Sequence, residues 1–552
     1  MKGDSLKNSL HFMQWVALAF ILFLAVLLAN DAYRRSKPIA DTLLHLNELK
    51  AGDLDHPELV QTIRELDYIY RATYFQTQDQ QAYGFLLLGI AFIVLCLLTG
   101  LESFFCAPCL KMPGPATTSA DNDRQLLLLL VVLASLILLA AIAFSRPQTT
   151  PTKPPLASNS INAQETEPID PKAALLAETQ HWPQFRGSVL PNQNSLPANW
   201  HFTRKWQKNI PLPGYSSPVI WTDSIFVTGG NAKERSLFCY SAESGELLWQ
   251  FNCNQALKVP EVTADTGFAA PTPCVDNTRV YAVFATGEVL CCTHTGEAVW
   301  QRQLPPPDIL YGYASSPLLL GDKLILQYDL DDTQTIYALD VRSGKSVWET
   351  KRESTASWSS PSAYCHHDNI TIFTAGNQFA EAFAADTGQS LWKIAGLGGE
   401  VATSAFAQDG QFFFANTGAI IASFSAQDGK AIFRNHNSPA PDVASPVVVG
   451  EVFLLFDSGG LAIGLDAKTG EELYEAEFSD GFYASPVVLE GKVVGINMSG
   501  ELLLLTVNRE GVFTDGKYDL ETKVVSVPAF HRGNIIIRTF ANDLLYLEAQ
   551  EK

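Results

Sequence analysis

Residues 242–251 read AESGELLWQF: a polar turn, a glycine, then a strand carrying tryptophan four residues after that glycine. The phrase returns as HTGEAVWQR (294–302), RSGKSVWET (342–350), DTGQSLWKI (386–394), QDGKAIFRN (427–435) and KTGEELYEA (468–476). Its glycines, Gly245, Gly296, Gly344, Gly388, Gly429 and Gly470, with Gly511 beyond them, stand roughly 41 to 51 residues apart. Short alternating strands broken by Gly, Asp and Asn at that period specify units of four strands, the pattern of β-propeller blades. A second phrase keeps the same beat: SSP at 216, AAP at 269, SSP at 315 and 359, TSA at 403, ASP at 444 and 484, and SVP at 526. Eight starts predict eight blades.

One such sheet has two apolar faces that it cannot bury alone, so neighbours must stack around an axis. Glycine allows the tight turn or close approach before the outermost strand. The aromatic that follows, Trp249, Trp300, Trp348, Trp392, Phe433 or Tyr474, is placed to wedge against the adjoining blade, each burial contributing roughly 1.5 to 3 kcal/mol. These rings are read as packing and not as a catalytic set. The last unit ends without an aromatic outer strand, while TRKWQKNI (203–210) stands as an orphan ahead of the first start. If Trp206 brings the missing strand, the ring closes and no long sheet edge stays unpaired. The expected fold over 181–552 is therefore all-β, an eight-bladed propeller closed by an N-terminal strand.

Upstream the texture differs. Apolar runs at 12–30, 84–100 and 126–144 each approach the ~20 residues that cross a ~30 Å hydrocarbon layer as a helix. They predict a three-helix membrane anchor over 1–145. Its 31–83 hairpin carries a helical stripe at Leu59, Ile63, Leu66, Tyr70 and Thr73, suited to packing within the hairpin or to a short dimerising coil. Residues 146–180 are Pro-, Ser- and Thr-rich and read as a linker. Lys and Arg are denser in the 31–83 loop than in the segments that would share the other side, which by itself leans toward a cytoplasmic C-terminal domain. The formal net charge of -20 argues against non-specific binding to nucleic acid or anionic lipid.

WPQFRG at 182–187, the SSP starts, ALDVRSGKSVW at 338–348 and KRESTASWSSP at 351–361 together resemble the pyrroloquinoline-quinone-like (PQQ-like) β-propeller repeat proteins over about two thirds of the chain. That repeat serves both quinoprotein alcohol dehydrogenases, which bind the quinone, and the periplasmic propeller of the outer-membrane assembly machinery, which does not. The resemblance implies an extracytoplasmic propeller, against the lean of the loop charges. It also brings to mind the dehydrogenases' adjacent-cysteine disulfide, for which Cys291 and Cys292 stand in sequence. In the strand EVLCCTHTG, however, successive side chains face opposite ways, which favours ordinary packing. The dehydrogenases' long insertions are missing here, and no segment matches their metal site.

Candidate ligand or partner positions are the aromatics just before the strand starts, Tyr215, Phe268, Tyr313, Trp358 and Tyr483, which the repeat should gather near one mouth of the funnel. They can serve as stacking platforms or interface anchors, or simply pack the blade tops. Arg352 offers a cation beside Trp358 or pairs at the surface with a local acid. Asp329, Asp331 and Asp332 in YDLDDTQT have carboxylates suited to Ca²⁺, but the Gly and terminal Glu of a binding loop are absent, which favours a solvated turn. Cys239, Cys253, Cys274, Cys291, Cys292 and Cys365 permit disulfides in an oxidising compartment. The CAPC pair, Cys106 and Cys109, lacks partners for a metal site, and Cys365, His366 and His367 are consecutive and poorly placed for one ion.

No nucleophile elbow, phosphate loop or basic aromatic groove is present. The leading reading is a membrane-anchored, non-catalytic scaffold with no cofactor, binding protein or peptide partners through the funnel and loops of an extracytoplasmic propeller. The alternative is a quinoprotein oxidoreductase of a small alcohol or sugar, using PQQ with Ca²⁺.

Overall fold

The computed structural model describes residues 171–550 apart from 197–199, 254–257 and 367–368. The three apolar runs, the 31–83 hairpin, Cys106, Cys109 and most of the linker lie outside the described residues. Among the described residues no helix is long and apolar enough to cross a membrane.

After a short helix, Pro171–Glu178, the chain builds eight four-stranded antiparallel sheets. Seven are simple meanders, spanning 219–253, 274–303, 318–351, 362–397, 406–435, 447–477 and 487–519. The eighth joins Ala529–His531, Asn534–Arg538 and Asp543–Ala549 to Phe202–Asn209. The expected closure is therefore observed, with Phe202 opposite Ala549, Trp206 opposite Tyr546 and Asn209 opposite Asp543. Central strands are buried on both faces, as in VFLLF at Val452–Phe456, because each blade is covered by two neighbours. Fourth strands alternate exposed and half-buried positions, as in Ser346–Lys351, and form the rim. First strands touch one another from blade to blade and so line the axis.

Every recurring aromatic but Tyr474 docks on the glycine of the next blade. Gly296 has φ +87°, and a Cβ there would lie 2.7 Å from the Trp249 ring; Gly344 stands in the same relation to Trp300. Glycine is thus required twice over, by its left-handed backbone and by the ring that fills the side-chain space. Five indoles add a hydrogen bond to a carbonyl of the following turn: Trp206 to Ala242 (3.0 Å), Trp249 to His294 (2.7 Å), Trp300 to Val341 (2.9 Å), Trp348 to Ala385 (3.0 Å) and Trp392 to Ala426 (3.1 Å). Phe433 fills the same place over Gly470 without a donor. Tyr474 departs from the expectation, lying over Gly464 of its own sheet rather than on the turn at Gly511.

The Ser-Pro phrase also has a physical role. A backbone N–H in each blade donates to a hydroxyl of the next: Ser217 to Thr272, Thr272 to Ser316, Ser316 to Ser360, Ser360 to Ser404, Ser404 to Ser445 and Ser445 to Ser485, all 2.8–3.0 Å. Val527 N–H returns to Ser217 Oγ at 3.0 Å. In the eighth blade Val527 takes the hydroxyl's place and has nothing to offer Ser485. The second blade corrects the reading of its start: Thr272-Pro273, not AAP at 269, occupies the shared position, and its first strand opens at Cys274.

WPQFRG fills the axis. Trp182 makes an antiparallel bridge with Ile220, Pro183 O accepts from Val275 N–H at 2.8 Å, and Gln184 Oε1 accepts from Leu319 N–H at 2.8 Å. Arg186 donates to Pro446 O at 2.7 Å and lies over Phe406. The segment supplies partners to the free inner edges of several blades, groups that would be costly to bury unpaired.

Candidate functional site

In an antiparallel meander the first and third turns lie at one end of the sheet, and the second turn and the outgoing connection at the other. Connections between blades and the loops joining second to third strands therefore share one face of the propeller. All the candidate aromatics sit on that face, but spread around it: Tyr215 leads into the first blade, Trp358 into the fourth and Tyr483 into the seventh.

Their environments differ. Tyr215 donates its hydroxyl to Ala264 O at 2.6 Å and packs on Phe540 at 5.5 Å. Phe268 is half-buried and falls outside the start position once the second blade is re-registered. Tyr313 is fully buried, its hydroxyl donating to Gln327 O at 3.0 Å and its ring 4.9 Å from Tyr328. Trp358 is half-buried, its indole N–H shared between Leu310 O (3.1 Å) and Gly312 O (3.0 Å). Tyr483 is exposed.

Arg352 is not at the surface, where its partner or ligand was expected. It is buried between Asp329 of its own blade and Glu381 of the next, with Nε 2.9 Å from Glu381 Oε2. Burial works against the guanidinium charge, but Asp329 and Glu381 outweigh it and hold its pKa above the ordinary value. Asp329 is likewise no solvated turn residue: it ends the strand Lys323–Asp329 and is fully buried, while Asp331 and Asp332 stay exposed. A second buried pair, Arg235 and Glu288, joins the first two blades through contacts of 2.7 and 3.0 Å. These acids and bases are matched to one another across blade junctions.

The six cysteines of the propeller are free thiols. Cys291 packs in the core between the second and third blades and Cys292 in the core between the first and second, so the pair diverges as the strand alternation predicted. Burial raises both thiols, Cys292 to about 12. Among the described residues no three His, Cys, Asp or Glu side chains gather as a metal set. Cys365 and His366 lie on the strand Ser362–His366; His367 is outside the described residues. Cys291 and Cys292 point into separate cores, and Asp329, with Glu381, already holds Arg352, so neither the cysteine pair nor Asp329 is open to a quinone or Ca²⁺.

What does gather is apolar. Among the described residues twelve large hydrophobic side chains stay exposed. Six, Leu247, Leu248, Val347, Leu391, Ile432 and Phe513, lie on fourth strands at the rim. Five, Val259, Leu310, Tyr311, Tyr483 and Phe540, lie on the connection face, and the twelfth, Leu176, lies on the helix Pro171–Glu178 beside the turns of the opposite face. Tyr311 was not among the sequence candidates. Its φ is +68°, a left-handed conformation that is strained for a bulky residue. It is held there by Thr263 N–H donating to its carbonyl at 3.0 Å, by Trp358 at 5.4 Å between ring centroids, and by its hydroxyl donating to Glu400 at 3.1 Å.

Fold and core place the chain in the class of PQQ-like eight-bladed propellers. Residues 200–351 and 332–551 match the family described as outer membrane protein assembly factor BamB, and the chain belongs to that family. BamB of Shewanella oneidensis is 20% identical over 300 residues, covering 53% of this chain and 60% of that protein. The quinoprotein alcohol dehydrogenase PedE of Pseudomonas putida is 33% identical over 95 residues, covering 17% of this chain and 14% of that protein. The matches thus span less than two thirds of either relative's own length. Quinohemoprotein alcohol dehydrogenase from Comamonas testosteroni superposes with a TM-score of 0.52 at 11% identity, covering 69% of this chain and 85% of that one; at that identity the likeness concerns the fold alone.

Proposed function

We propose that this protein is a non-catalytic interaction scaffold, held to a membrane by its N-terminal apolar segments, with the propeller on the extracytoplasmic side and protein or peptide partners bound on its connection face. One observation carries the reading: five exposed apolar and aromatic side chains lie on that face against one, Leu176, beside the turns of the other, while the buried ionisable groups of the first four blades neutralise one another. Membership of the BamB family supports protein partners, and the three apolar runs support the anchor. The test places a photo-crosslinking residue at Leu310 or Tyr483, with rim residue Leu391 as control, in cells producing the full chain. Discrete protein adducts from the face positions and not from Leu391 are expected; no adducts, or the same adducts from Leu391, count against the scaffold.

The competing reading, a quinoprotein oxidoreductase, is favoured by the 33% identity with PedE over 95 residues. Calorimetric titration of the full chain with PQQ and Ca²⁺ separates the two. Saturable micromolar binding, about -8 kcal/mol, that is lost in Trp358→Ala would replace the scaffold by an enzyme.

A further inference from the structure

The connection between the second and third blades, residues 304–317, brings Leu310 and Tyr311 to the surface, 55% and 36% exposed, against the half-buried Trp358. Neighbouring exposed apolar side chains, on a face where Val259, Tyr483 and Phe540 are also exposed but stand on other connections and turns, mark an interaction site. Tyr311 is held in its left-handed conformation by Thr263, Trp358 and Glu400 while its ring stays part-exposed.

Charge around this corner is predominantly negative, the neighbouring connection that carries Thr263 adding Glu261 and Asp265 against Lys258. Segments 304–317, 330–333 and 398–405 contain Asp308, Asp331, Asp332 and Glu400 and not one Lys or Arg. Asp331 N–H donates to Asp308 O at 3.0 Å, which holds the two acidic segments together. Burial first, and the charges of Asp308 and Asp332 after it, raise the Asp331 carboxyl pKa. Of the two arginines close by in sequence, Arg352 is consumed in the core and Arg302 pairs with Glu349 at the rim. A cation arriving here meets carboxylates and the faces of Tyr311 and Trp358 together, and both attract it.

Resting on the scaffold reading, we infer that the corner formed by Leu310, Tyr311 and Trp358 and rimmed by Asp308, Asp331 and Glu400 docks a partner segment in which Lys or Arg flanks a large apolar residue. The apolar side chain packs on Leu310 and Tyr311, and the cations face the carboxylates. Complementarity of this type adds orientation and association rate as well as affinity.

Phage-displayed random peptides panned against the immobilised full chain provide the test, followed by fluorescence titration of the selected sequences. Enrichment of Lys or Arg beside Trp, Phe or Leu is expected, with affinity falling as salt approaches ~1 M, where the Debye length is about 3 Å. Tyr311→Gly removes the anchor while suiting the left-handed backbone, so the fold is kept, and it should weaken binding roughly tenfold. Asp308→Asn combined with Asp331→Asn should weaken binding and flatten the salt dependence. Selection of acidic or uncharged peptides overturns the inference, as does binding indifferent to both variants. Indifference to both together with loss in Tyr483→Ala or Phe540→Ala moves the site elsewhere on the face and leaves the scaffold standing. If no peptide is selected and no face position crosslinks in cells, both readings fall.

Discussion

Five blade junctions, from the eighth-to-first through the fourth-to-fifth, are closed by a tryptophan that fills a glycine's side-chain space and donates to a carbonyl of the next blade. The other three improvise. Phe433 fills the space without a hydrogen bond, Tyr474 folds over its own Gly464, and the seventh blade is covered at Gly516 by Trp200, which lies outside the repeat. The difference shows what the repeated phrase is for. It is a contact rule between neighbours, and where the phrase decays the junction takes whatever ring the chain supplies.

The sharpest way to break the comparison is Trp300→Ala. It empties the space over Gly344 and removes the stronger of two donors to Val341 O, leaving the Cys291 thiol, so a loss of about 3–5 kcal/mol is expected in urea unfolding of the full chain. Tyr474→Ala should cost clearly less, and equal costs would remove the distinction between the two groups of junctions.

A smaller effect tests the segment over the well-docked blades. Glu178 is buried near Asp276, and burial first and that neighbour second raise its pKa to about 8. In the unfolded chain the carboxyl ionises near its ordinary 4.5, so the folded state holds the extra proton between the two values. Its contribution is complete below about pH 4.5 and is lost as pH rises toward about 8, an effect on the order of a few kcal/mol. Glu178→Gln should remove this slope and leave the variant the more stable at alkaline pH. An unchanged slope in thermal melts across that range would rule out Glu178 as its source.

Val527→Ser offers Ser485 the hydroxyl that the eighth blade lacks and should stabilise by about 1 kcal/mol; a destabilised variant would mean that Val527's place in the core outweighs the bond. Smallest is Tyr474→Phe. The Tyr474 hydroxyl is buried without a hydrogen-bond partner in the protein, so its removal should be neutral or stabilising by less than about 1 kcal/mol. A clear loss would reveal a partner, such as a bound water.

Much of the architecture was legible because its signals are local. Glycine and aromatic four residues apart, the orphan Trp206 strand and the opposed faces of Cys291 and Cys292 all follow from strand alternation and turn geometry. The start of the second blade was misplaced because AAPTP holds two overlapping prolines, and only the hydroxyl ring shows that Thr272 takes the shared position. Asp329 looked like a loop acid because its neighbours are acids. Its burial depends on Arg352 and Glu381, 23 and 52 residues further along the chain. Tyr311 carries no mark in the repeat, standing four residues before SSP at 315, and its exposure is set by Thr263, Trp358 and Glu400 on other connections.

The sequence by itself determined the repeat, the number of blades and how the ring closes, since period, turn residues and alternation are properties of neighbouring residues. Only the tertiary structure decided which charges are buried in pairs, what fills the axis, and which aromatics face outward. Each of these depends on what an adjoining blade or a distant segment places beside a residue, and a buried arginine and a surface arginine are written with the same letter.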